Sequence, residues 1–118
     1  MSDAVTIYHN PRCSKSRETL SLLQSHGVEP QVVLYLETPP DAATLRNLLK
    51  MLNLSSPRDL MRQKEELYRT LNLADNGLTE EALIQAMVEN PKLIERPIVV
   101  KHGQARIGRP PEQVLEIL

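Results

Sequence analysis

Residues 5–36 constrain this chain more than any other stretch. Val5, Ile7 and Tyr8 are β-prone, and Asn10 and Pro11 are turn formers. From Ser14 to about His26 the spacing is helical, with Leu20 and Leu23 on one face and Gly27 as the C-terminal stop. The largely apolar run Gln31-Val32-Val33-Leu34-Tyr35-Leu36, flanked by Pro30 and Pro39, reads as a buried second strand. Strand, helix and strand within about thirty residues make a βαβ unit, so the two strands run parallel with a right-handed crossover.

Beyond it the pattern becomes helical over about 41–93. Asp41 can cap a helix with Leu45, Leu48, Leu49 and Leu52 on its inner face, and Ser56-Pro57 and Thr79-Glu80-Glu81 open two more. This region is short and no flexible linker bounds it, so it reads as a helical insertion in one domain of residues 1–118. After Arg96-Pro97, Ile98-Val99-Val100 is a strand, His102-Gly103 a turn and Ala105-Arg106-Ile107 the returning partner. Pro110-Pro111 opens a last helix carrying Val114, Leu115 and Leu118. The order β-α-β, helices, β-β-α is that of an α/β, thioredoxin-like (glutaredoxin-like) fold with a four-stranded mixed sheet. In that fold the proline before the third strand is commonly cis and lies beside the reactive cysteine; Pro97 stands in that place, and an X-Pro bond is where cis is cheap.

The βαβ unit puts the chain's one cysteine, Cys13, where a polar loop enters a helix. The first N–H groups of a helix lack helical partners and carry partial positive charge, so a thiolate there is stabilised. With cations nearby such a thiol can ionise at pH ~3.5–7.5; here Arg12, Lys15 and Arg17 flank it and His9 lies four residues upstream. Cys13 is therefore read as a nucleophile. A single cysteine can make neither an internal disulfide nor a zinc site, so no metal is expected. Cys13-Ser14-Lys15-Ser16 is a C-x-x-S, and an oxidised Cys13 must be resolved by a thiol from another molecule, glutathione or a glutaredoxin.

Composition narrows the partners. A net charge of −1 gives no general attraction to nucleic acid or an anionic membrane, and with Tyr8, Tyr35 and Tyr68 as the only aromatic residues base stacking has little to work with. No apolar run is long enough to span a membrane, and Met1-Ser2-Asp3-Ala4 lacks the regions of a signal peptide, so the expected location is cytoplasmic, where a free thiol persists.

Four runs carry a resemblance that spans nearly the whole chain: Ile7 to Arg17, Leu34 to Pro39, Glu95 to Val100 and Arg106 to Glu112. In order and content they resemble the glutaredoxin-dependent (ArsC-like) arsenate reductase family, closest to its short bacterial chromosomal members. The resemblance implies Cys13 as the reactive cysteine, His9 as the histidine that influences its ionisation, and Arg62, Arg96 and Arg109 as the oxyanion arginines. It also implies that arsenate is reduced to arsenite with glutathione as co-substrate and glutaredoxin as partner, with no bound cofactor. The backbone of Ser14, Lys15 and Ser16 would complete the oxyanion cradle; the plasmid-borne members resemble Gly-Thr-Ser there.

The chemistry explains why guanidiniums are needed. Bringing a thiolate to ~4 Å from an anion costs about 4 kcal/mol per charge pair at an effective dielectric near 20. Planar forks of donors offset this, although most arginines are solvated surface residues. His9 would act as imidazolium or as a hydrogen-bond donor, or else simply end a strand. Ser16 would donate to the sulfur or merely fit the first helical turn. Two other functions use parts of the same set: a glutathione-linked thiol oxidoreductase with another substrate, and a non-enzymatic regulatory adaptor.

Overall fold

A computed structural model describes residues 4–118, so the reading of the first residues as lacking a signal lies outside the described residues, save Ala4. The chain divides into two compact units, one joining the chain up to Thr38 with Arg96–Leu118, the other spanning Pro39–Glu95.

The first unit holds a four-stranded mixed sheet in the order β2-β1-β3-β4. Strand β1 (Val5–His9) pairs parallel with β2 (Gln31–Leu34) and antiparallel with β3 (Ile98–Lys101), which pairs antiparallel with β4 (Gln104–Ile107). Ile7 sits opposite Val32 on one side and Val99 on the other. Helix α1 (Ser14–Ser25) is the crossover between the parallel strands. Its residues Leu20, Leu22 and Leu23 join Val5, Ile7, Val99, Val114 and Ile117 in a core cluster on one face of the sheet. Gly27 at φ +78° ends the helix, a backbone state that costs a glycine nothing. The β3–β4 turn places His102 and Gly103 at φ +53° and +74°, the paired left-handed residues of a tight hairpin.

Two sequence expectations change here. Strand β2 is not buried: it ends at Leu34, and Gln31 and Val32 are exposed because it is the outer strand of the sheet. An apolar run alone does not reveal whether both flanks will be covered. The C-terminal segment Pro111–Ile117 is a 3₁₀ helix, not an α-helix, and buries Pro111, Val114 and Ile117.

The second unit is helical. Asp41 caps α2 (Ala42–Met51) by accepting the Thr44 N–H at 2.8 Å, and Thr79 caps α4 (Glu80–Glu89) by accepting that of Ala82 at 3.1 Å. These helices pack together and bury Leu45, Leu48, Leu49, Leu83, Ile84 and Met87. A short α3 (Glu66–Thr70), absent from the sequence reading, and a 3₁₀ turn at Pro57–Leu60 lie between them. No helix among the described residues is long and apolar enough to cross a membrane.

Candidate active site

Cys13 is the N-cap residue of α1, with extended backbone at φ −96° and ψ 124°, and its side chain is partly exposed. The preceding loop is held by Asn10: its carbonyl accepts the Cys13 N–H and its side-chain oxygen the Arg12 N–H, each at 3.0 Å. The Asn10 N–H in turn donates to Ser16 Oγ at 3.0 Å. With these backbone groups satisfied inside the loop, the N–H groups of Ser16 and Lys15 are left to face the sulfur. Partial burial pushes the Cys13 thiol up; the Ser16 N–H, the hydrogen bond and charge of Arg96, and the Lys15 N–H outweigh it, and its pKa ends below that of an ordinary thiol.

Both guanidiniums at the sulfur come from the far end of the chain. Arg109 Nη2 lies 3.6 Å from Cys13 Sγ, and its Nε donates to the Arg96 carbonyl at 2.8 Å, so one arginine's backbone aims the other's side chain. The Arg96 Nε is buried without a hydrogen-bond partner among the described residues. Arg96–Pro97 and Arg109–Pro110 are both cis peptide bonds; the second was not foreseen.

The cations nearest in sequence behave differently. Lys15 Nζ lies 3.9 Å from Glu18, and Arg17 donates to the Pro11 carbonyl at 3.0 Å, so Arg17 braces the loop. Arg62 belongs to the second unit, where it pairs with Glu65 at 3.1 Å and Glu95 at 3.8 Å. Its backbone N–H donates to the Leu93 carbonyl at 2.7 Å, beside the bridge between Met61 and Ile94.

His9 is buried at the end of β1, its Nδ1 2.6 Å from Ser16 Oγ, and Ser16 is fully buried. Burial first, and the Arg17 charge second, lower the His9 pKa. The imidazolium form considered from sequence is therefore disfavoured near neutral pH, and His9 meets the site as a neutral ring hydrogen-bonded to Ser16. Ser16 thus serves the site in two ways, by its N–H toward the sulfur and by its hydroxyl between His9 and Asn10.

Three contributors escaped the sequence reading. Asn10 was noted only as a turn former. Thr19 is fully buried on α1, one turn beyond Ser16, and bonds back to the Lys15 carbonyl at 2.8 Å; the stripe 16, 19, 20 and 23 was visible as spacing, but two of its members are polar. Gly108 leaves no room for a side chain: a Cβ there would lie 2.5 Å from Thr19 Oγ1 and 2.9 Å from Pro97 Cγ. No cluster of three or more His, Cys, Asp or Glu able to hold a metal occurs among the described residues.

A partly exposed thiol of lowered pKa under two guanidiniums can attack an oxyanion. The ArsC family model matches residues 8–117. This chain belongs to the ArsC family. A relative in Escherichia coli K12 described as uncharacterized protein YfgD is 75% identical over 118 residues, covering 100% of this chain and 99% of that one. An arsenate reductase of Haemophilus influenzae is 50% identical over 115 residues, covering 98% of this chain and 99% of its own. The solved structure of an arsenate reductase from Vibrio cholerae, 61% identical, superposes with a TM-score of 0.97 over 100% of both chains. Its neighbours place this ArsC-family chain in the thioredoxin-like fold.

Proposed function

We propose that this ArsC-family protein reduces arsenate to arsenite through Cys13, with glutathione and glutaredoxin as the source of electrons. The observation that carries the reading is the lowered pKa of a partly exposed Cys13 with Arg109 Nη2 3.6 Å from its sulfur. An oxyanion entering there meets the Arg96 and Arg109 forks and the N–H groups at the start of α1. These donors suit arsenate and offset the repulsion between it and the attacking thiolate. Arg62, from the other unit, enters this reading only through the family resemblance.

Each step balances. The Cys13 thiolate bonds to arsenic and one arsenate oxygen departs as water after protonation. A glutathione thiolate displaces a second oxygen in the same way, leaving arsenic(V) bonded to both sulfurs. A glutaredoxin thiolate then attacks the glutathione sulfur; the pair from the sulfur–arsenic bond passes to arsenic, which becomes arsenic(III), and a glutaredoxin–glutathione disulfide leaves. Water releases arsenite and restores Cys13. Ser16 in the C-x-x-S leaves no internal thiol to compete with this route.

The test is steady-state turnover of arsenate with glutathione, glutaredoxin and an NADPH-coupled glutathione reductase. Wild-type protein is expected to turn over and Cys13→Ser to fall to background. Turnover retained by Cys13→Ser, or absent in the wild type, overturns the proposal.

A further inference from the structure

The outer face of the loop that carries Cys13 forms one wall of a cavity of about 280 Å³. His9, Asn10, Pro11 and Arg12 line this wall; Leu34, the last residue of β2, and Leu36 and Glu37 just beyond it line the other. All belong to the first unit. Because β1 and β2 run parallel, their C-terminal ends open side by side, which is where an open α/β sheet characteristically takes a ligand. Pro11, Leu34 and Leu36 supply apolar surface, and Leu36 is 41% exposed with nothing covering it.

The charges are informative. Arg12 and Glu37 are both exposed, and neither side chain has a hydrogen bond or ion pair among the described residues, not even with the other. A cation and an anion held apart across an apolar floor suit a small molecule carrying both signs at separate points. A simple anion would be repelled by Glu37, and a purely apolar ligand would strand both charges. Arg12 is also next in sequence to the nucleophile, and consecutive Cα atoms are about 3.8 Å apart.

We infer that this cavity seats the thiol co-substrate, a zwitterionic peptide thiol of the glutathione type, with a carboxylate on Arg12, the ammonium on Glu37 and the peptide backbone over Leu36. This assignment rests on the proposed reduction, in which an outside thiol must reach arsenic on Cys13. Seated there, the thiol approaches from the loop side, while Arg96 and Arg109 hold the oxyanion. Its thiolate forms the second sulfur–arsenic bond as an oxygen leaves as water.

The experiment uses the full chain labelled with nitrogen-15 and titrated with S-methylglutathione, which fills a glutathione site but cannot react. Amide shifts are expected at residues 9, 10 and 12 and at 34–37, with affinity about threefold to tenfold weaker in Arg12→Gln and in Glu37→Gln. In the coupled assay the same variants are expected to raise KM for glutathione by a similar factor, with KM for arsenate changing less. Shifts confined to other residues, or variants that bind S-methylglutathione as tightly as wild type, overturn the assignment. Arsenate turnover does not enter the titration: a protein that fails to reduce arsenate yet binds S-methylglutathione in this cavity retains the assignment and loses the arsenate reading.

Discussion

Cys13 and His9, one at the entrance of α1 and the other at the end of β1, are two titratable groups whose charge responds in opposite ways to the same direction of shift. Both are depressed, but the consequence differs: a lowered thiol pKa yields more of the charged form, a lowered imidazole pKa less. Alkylation of Cys13 by iodoacetamide is expected to show its pH midpoint below that of an unfolded cysteine peptide measured alongside, and Arg96→Gln should move that midpoint upward by removing a hydrogen bond and a charge. For His9 the folded state binds its proton less readily than the unfolded chain. Stability is then full above the unfolded value of ~6.5 and declines as pH falls below it toward the folded pKa. Urea unfolding at stepped pH checks this: wild type should lose stability over that window more steeply than His9→Gln, which cannot titrate.

At the scale of elements, the site depends on how closely α1, β3 and the segment after β4 approach one another. Gly108 marks the tightest point: its N–H donates to the Pro97 carbonyl at 2.9 Å while Thr19 occupies the space a side chain would need. Gly108→Ala is expected to destabilise by about 1–3 kcal/mol through overpacking, read as a lower urea midpoint with unchanged slope. Helix α4 offers a contrast, since it belongs to the other unit and its Thr79 cap is exposed. Thr79→Ala should cost about 1 kcal/mol by orphaning the Ala82 N–H, and thiol reactivity of Cys13 should remain that of wild type.

For the molecule as a whole, the count of thiols sets the redox behaviour. One cysteine per chain, partly exposed, admits one mixed disulfide and no internal bridge. Intact-mass analysis after treatment with oxidised glutathione is expected to find a single glutathione adduct, reversed by dithiothreitol and absent in Cys13→Ser. The sheet unit joins the segment up to Thr38 with Arg96–Leu118, which explains why Arg96 and Arg109 lie so far in sequence from Cys13.

The chain's local chemistry determined a good deal by itself. Alternation and turn residues marked β1, the β3–β4 hairpin and the start of α1, because strand period, left-handed turns and helix entry are decided within a few residues. The same short range put Cys13 at a helix entrance. What the residues around Cys13 suggested about cations was another matter: charge near in sequence implied Arg12, Lys15 and Arg17, whereas Lys15 lies by Glu18, Arg17 donates to the Pro11 carbonyl, and Arg109, named beforehand only by the family resemblance, comes to the sulfur across 96 positions. Only tertiary structure could decide that β2 is an edge, that polar Ser16 and Thr19 belong to the buried face of α1, and that position 108 must lack a side chain. Each depends on what packs against a residue from elsewhere in the chain, and hydropathy along the chain holds no record of that neighbour.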